Sequence, residues 1–270
     1  MQRRKTLTEV MGILNVTPDS FSDGGQHNEL EAAIQRCQAM VEAGVDWIDV
    51  GGESTRPGAA AVSESAELER VVPVIEAIAS RFEVKISVDT SKAQVMRAAV
   101  AAGAQMINDV RGLREDGALA AAAEGNARVC LMHMQGQPRS MQASPEYDDV
   151  VSDVKGFLRQ RIEACEAAGI DRARLLLDPG FGFGKTVQHN YQLLQRLPAF
   201  IEFDLPILVG LSRKSMIGAV TQTTVEQRLA GSIAGATIAA LKGARIIRVH
   251  DVKETVDAMK VVQATLTGEF

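Results

Sequence analysis

The chain has 270 residues, a formal charge of −5 and 46% hydrophobic residues, the size and composition of one domain with a large core. Without Lys/Arg blocks or an apolar run near the roughly 18 residues of a membrane span, nucleic acid and membrane are excluded as expected partners. The basic start MQRRKTLTEVMG lacks the apolar core of a signal peptide, and Cys37, Cys130 and Cys165 sit far apart in apolar or alanine-rich stretches, so the expectation is a cytoplasmic protein with reduced, buried thiols.

Taken in chain order, short apolar runs alternate with stretches of helical spacing. A strand over 10–15 breaks into NVTPDS, and the loop TPDSFSDGG leads to a helix over 30–43. The second strand, 45–50, opens into DVGGESTRPG and a Gly- and Ser-rich loop before a helix over 66–80. Strand 84–89 ends in SVDTSK before helix 91–102, and strand 105–110 ends in NDVRG before helix 117–124. Strand 128–133 ends in MHMQG before helix 148–168, and strand 174–178 runs into DPGFGFGKT before helix 190–200. Strand 206–211 carries GLSRKS and precedes a helix over 224–241; strand 244–250 carries RVHDV and precedes a helix over 252–263. Gly44, Gly103, Gly125, Gly169 and Gly243 stand where helix ends need caps. Eight strand–helix units predict a parallel (β/α)8 TIM barrel spanning 1–270 as a single domain, with long mobile loops after strands 1 and 2 that act as lids.

In such a barrel the carboxyl ends of the strands meet on one face, so the polar breaks belong to one composite site. Alternation along the third strand turns Lys85, Ser87 and Asp89 inward, and a lysine inside a barrel calls for a carboxylate partner. Asn108, Asp109 and Asp178 at strand ends can serve a planar heterocycle rich in N–H groups, and a guanidine-like edge suits a carboxylate; each can also be a helix cap. Opposite them stand Arg56, Lys214, Arg248 and His250, the last two on one face where they can grip one anion, so a phosphorylated or diphosphorylated substrate is expected. The glycines of DPGFGFGKT fail P-loop spacing and are read as a turn that lets backbone pass close to a ligand held by Asp178. His133 and His189 lack a second ligand at zinc spacing; His133 is read as a hydrogen-bonded barrel residue and His27 as a loop residue.

The ordered set GILNVTPDSFSDGG, DVGGESTRPGA, SVDTSK, NDVRG, LMHMQG, DPGFGFGKT, GLSRKS and RVHDV resembles the dihydropteroate synthase family over almost the whole chain. The resemblance implies a homodimeric (β/α)8 enzyme of bacterial folate biosynthesis. It would join 6-hydroxymethyl-7,8-dihydropterin diphosphate to p-aminobenzoate with Mg²⁺, release 7,8-dihydropteroate and diphosphate, and be a sulfonamide target. It further implies that Asp89, Asn108, Asp178 and Lys214 bind the pterin, with Met132 beneath its ring, and that Asn15 contacts Mg²⁺. Arg248, His250 and Thr55 match diphosphate ligands, Phe21, Arg56, Pro57 and Ser215 the p-aminobenzoate pocket, and Asp23 a group orienting metal or leaving group. Three other readings stay open: a methyltetrahydrofolate-dependent corrinoid methyltransferase, a Schiff-base aldolase using Lys85 or Lys214, and an inert pterin-binding scaffold.

Overall fold

Runs of Val, Ile and Leu suit strands covered on both faces. Eight of them form one parallel sheet in the computed structural model, which describes residues 8–17, 26–54, 61–136 and 145–269. In chain order the elements are β1 (Glu9–Asn15), α1 (Gln26–Glu42), β2 (Trp47–Gly51), α2 (Glu64–Arg81), β3 (Lys85–Asp89), α3 (Ala93–Ala101), β4 (Met106–Asp109) and α4 (Ala118–Glu124). They continue with β5 (Arg128–Met132), α5 (Val150–Ala167), β6 (Leu175–Asp178), α6 (Val187–Gln195), β7 (Leu208–Val209), α7 (Ser215–Thr221), α8 (Leu229–Leu241), β8 (Ile246–Val249) and α9 (Val252–Thr267). Ladders run β6-β5-β4-β3-β2-β1-β8-β7, and a bridge between Leu177 and Ile207 joins the two outer strands, closing the barrel.

The alternation of each strand builds two apolar layers. Val10, Leu14, Ile48, Val50, Ile86 and Val88 face the helices in the main core, whereas Met11, Trp47, Met106, Cys130, Leu176, Leu208 and Ile246 fill the lumen. That plug fills the amino-terminal half of the cylinder, so within the lumen the room for a ligand is at the carboxyl-end mouth. At the amino-terminal mouth Lys85 finds its carboxylate: Glu9 accepts from Lys85 Nζ at 3.1 Å and from Trp47 Nε1 at 2.7 Å. All three cysteines are free and buried.

The main departures from the sequence reading fall between β6 and β8. The helix expected over 190–200 stops at Gln195 and continues as a 3-10 run, Leu197–Phe203, because Pro198 has no N–H to donate. The helix expected over 224–241 opens as a 3-10 turn, Val225–Gln227, and becomes α8 at Leu229, while a further helix outside that range, α7, begins directly after the SRK turn and ends at Gln222 in a left-handed conformation (φ 55°). β7 has two residues rather than six, bounded by Pro206 and Gly210. Gly44, Gly103, Gly169 and Gly243 turn with positive φ as expected, whereas Gly125 caps α4 in an extended conformation. His27 lies in the first turn of α1, not in a loop.

Candidate active site

Parallel register places Asn15 beside Gly51, Gly51 beside Asp89, Asp89 beside Asn108 and Met132 beside Asp178, so the polar tips of neighbouring strands form one rim. From β8, Arg248 reaches across the lumen. Its Nε donates to Asp49 Oδ2 at 2.6 Å and its Nη2 to Asp89 Oδ2 at 2.7 Å. Asn108 Nδ2 donates to the same Asp49 oxygen at 3.1 Å. Burial pushes the Asp89 carboxyl above the ordinary carboxylate range and Asp49 adds repulsion, while Arg248 beside it pulls the other way. Arg248 is held above its usual value, because Asp49 and Asp89 more than offset its own burial. A carboxylate pair, Asp49 and Asp89, therefore holds Arg248 in the lumen.

The opposite side of the rim pairs Asp178 with Lys214. Burial raises the Asp178 pKa and Lys214 lowers it; Asp178 also accepts the Gly180 N–H at 2.7 Å. Lys214 is pushed down to about 8 by burial against the pull of Asp178. Its ammonium donates to the Phe181 carbonyl and lies 4.6 Å from the Phe183 ring centroid. Arg213, just before it, has φ 59°, a conformation that costs an L-residue energy. Ser232 Oγ accepts the Arg213 N–H at 2.9 Å and Arg228 Nη1 donates to its carbonyl at 3.0 Å, so α8 and its approach fix the turn that aims Lys214.

The 178–186 turn behaves differently from the sequence reading. Its glycines admit protein rather than ligand: a Cβ on Gly180 (φ 73°) would overlap the His133 carbonyl, and one on Gly182 would meet the Lys214 side chain. Lys185, buried, closes the turn by donating to Gly180 O at 2.8 Å and Phe183 O at 3.0 Å, with His133 Nδ1 at 2.9 Å. Burial and the nearby Lys185 keep His133 neutral, a hydrogen-bonded barrel residue as expected. Asp109 proves to be a cap: it accepts from the Ser91 hydroxyl and from the backbone N–H groups of Arg111 (2.8 Å) and Leu113 (2.7 Å).

His250 follows β8 at the surface; its N–H donates to Ser212 Oγ at 3.2 Å and its Nδ1 lies 3.1 Å from the same hydroxyl. Ser215 is exposed at the start of α7, next to Lys214. Phe21, Asp23, Thr55, Arg56 and Pro57 lie outside the described residues, as do positions 18–25 of the first expected lid and 55–60 of the second.

A model of the family described as pterin binding enzyme matches residues 11–250. The dihydropteroate synthase of Escherichia coli (strain K12) is 62% identical over 260 residues, covering 96% of this chain and 92% of the relative. The chain belongs to the dihydropteroate synthase family of pterin-binding enzymes. Among solved members, the Yersinia pestis dihydropteroate synthase in complex with a sulfonamide drug has a TM-score of 0.92 and 61% identity, covering 96% of this chain and 94% of that one. The Xanthomonas albilineans dihydropteroate synthase with 4-aminobenzoic acid has a TM-score of 0.91 and 55% identity, covering 96% and 93%.

The polar strand tips have helpers that the sequence reading did not single out: Asp49, Lys185, Ser212, Arg228 and Ser232. Asp49 had the clearest available signal, a charge in phase with Trp47 and Gly51 on an otherwise apolar strand. For Lys185 and Ser232 there was none: Lys185 meets His133 52 residues away and Ser232 meets Arg213 19 residues away. Lys85 sits at the other mouth with Glu9, remote from this rim, which removes it as a Schiff-base candidate.

Proposed function

We propose that the chain condenses 6-hydroxymethyl-7,8-dihydropterin diphosphate with p-aminobenzoate to give 7,8-dihydropteroate and diphosphate. The carbon–oxygen bond to diphosphate breaks, a carbon–nitrogen bond to the arylamine forms, and the amine gives up one proton. The observation that carries this reading is the single rim on which acids (Asp89, Asp178), an amide (Asn108) and cations (Lys214, Arg248) meet.

Asp89, Asn108, Asp178 and Lys214 hydrogen-bond the pterin over Met132, and the two carboxylates stabilise the electron-poor ring system as the leaving group departs. Arg248 and His250, with Thr55, take the diphosphate. Phe21, Arg56, Pro57 and Ser215 shape the p-aminobenzoate pocket, and Asp23 orients metal or leaving group. An arylamine is neutral and nucleophilic at pH 7, so the site needs no strong general base, and loss of diphosphate runs ahead of attack in an SN1-like displacement. Closed loops then keep water from the cationic carbon.

Mg²⁺ fits the residues at hand. A Cβ on Gly51 would fall 3.6 Å from Asn15 Oδ1 and 3.5 Å from Asp89 Cβ, so the missing side chain leaves these two groups sharing open space. Among the described residues no three His, Cys, Asp or Glu side chains gather as metal ligands. One amide oxygen supplemented by substrate phosphate oxygens and water suits Mg²⁺. Asn15 would hold the ion, which supplies charge neutralisation at the diphosphate when bound.

The protein works as a cytoplasmic homodimer on small molecules, without nucleic acid or membrane. No described helix is long and apolar enough to cross a membrane. Reduced, buried thiols suit the cytoplasm. Support for the dimer comes from α8, LAGSIAGATIAAL, which has no charged residue yet exposes Leu229, Ile238 and Leu241. A helix apolar on every face is normally covered.

Purified protein is expected to form dihydropteroate only when both substrates and Mg²⁺ are supplied. Arg248→Ala should lower kcat by roughly 10²–10³, the loss typical of one preorganised transition-state donor. Absence of product under these conditions would leave the inert scaffold as the better reading, and borohydride trapping on Lys214 would favour the aldolase.

A further inference from the structure

We propose that Asp49 is a positioning residue that couples pterin recognition to departure of the diphosphate, acting through Arg248. The inference rests on the reading of Arg248 as a diphosphate ligand and adds a residue to it. Asp49, on β2, is fully buried. Its Oδ2 takes both Arg248 Nε (2.6 Å) and Asn108 Nδ2 (3.1 Å), so one oxygen joins the pterin half of the rim to the leaving-group half. Its Oδ1 has no partner, and neither has the hydroxyl of Ser87, its register neighbour on β3. A buried carboxylate half without partners is costly, so its charge must be used somewhere, and the cation it meets is Arg248.

The geometry sets a division of labour on the guanidinium. A guanidinium carries five N–H groups. Asp49 occupies the Nε edge and Asp89 one N–H of Nη2. When N–H groups of the pterin engage Asp89, the Nη2 contact is exchanged, while the Nε anchor on Asp49 stays. Arg248 is thereby kept in the lumen with its terminal fork free for phosphate oxygens, at the moment the pterin arrives. Without Asp49 the cation has Asp89 as its remaining carboxylate partner, in competition with the substrate. Once the pterin takes Asp89, Arg248 would then leave the position from which it stabilises the departing charge.

The test is a double-mutant cycle in the full-length protein with Mg²⁺, dihydropterin diphosphate and p-aminobenzoate. Calorimetric binding of 6-hydroxymethylpterin, which lacks the diphosphate, is measured alongside. Asp49→Asn keeps size and an acceptor and removes the charge. It should lower kcat by roughly 10–100-fold, the range for groups that orient a reacting side chain, and leave affinity for the pterin alcohol within about threefold. Added to Arg248→Met, it should cost at most about threefold more, since the partner it acts through is gone. Arg248→Lys, which keeps a cation but has no Nε for Asp49, should fall close to Arg248→Met and decides the matter if Asp49→Asn does not fold. An Asp49→Asn enzyme with kcat within about threefold of the parent, additive losses in the cycle, pterin affinity falling in step with kcat, or Arg248→Lys retaining more than about a third of kcat would each overturn the proposal. Should Arg248→Met itself leave kcat intact, the diphosphate reading beneath it fails instead.

Discussion

Lys214 does its work in surroundings that weaken its charge. Burial brings the ammonium down to about 8, even with Asp178 opposite, so the free enzyme loses this cation as pH rises through that value. The kcat/KM for dihydropterin diphosphate should therefore fall on the alkaline side with an apparent pKa near 8. Lys214→Arg should remove that limb, because a guanidinium stays charged throughout the accessible range. A profile of the parent enzyme that stays flat to about pH 10, near the ordinary lysine value, would show that the charge is not used. The neighbouring Lys185 serves structure instead of substrate. Its three contacts fold the glycine turn back onto β5, which places the Phe181 carbonyl that receives Lys214.

Secondary-structure elements meet the site through their ends. At the start of α3, Lys92 donates to Glu53, which follows β2, and to Glu67 of α2, whose side chain is 1% exposed. One ammonium thus ties the base of the second loop to the helices on either side of β3. Lys92→Met should cost about 3–5 kcal/mol in urea unfolding, because it strands a buried carboxylate. A loss under about 1 kcal/mol would mean that Glu67 is neutral or hydrated in the fold. These links explain which parts of the molecule are legible in the sequence. Apolar runs ending in polar breaks mark all eight strands, and alternation along the third gives the inward phase of Lys85, Ser87 and Asp89, down to the carboxylate that Lys85 needs. Helix α7 is not legible because its seven residues are too few to show a period, and the length of β7 is not because an apolar run says nothing about where pairing stops. Asp49 shows its inward phase in the sequence but not its role, because its bonds to Asn108 and Arg248 span 59 and 199 residues of chain.

For the whole molecule, α8 connects assembly to catalysis. One face carries Ser232, which holds the Arg213 turn, and the other exposes Ile238 at 42% and Leu241 at 53%. If a second copy covers that exposed face, Ile238→Asp should shift the protein from dimer to monomer in sedimentation with its circular dichroism unchanged. A dimer that persists in this variant would place the contact elsewhere. Because the same helix fixes Lys214 from behind, the monomeric variant is also expected to show a higher KM for dihydropterin diphosphate.

The closure of the cylinder has a consequence of its own. Seven strand pairs are laced by continuous ladders, but β6 and β7 meet through the Leu177–Ile207 bridge and the Leu177 N–H on Pro206 O at 3.0 Å. This seam lies directly under Asp178 on one side and leads up to Lys214 on the other. Thermal breathing of the wall and widening of the gap between these two charges are therefore a single event, and a molecule wedged between them acts as the missing rung.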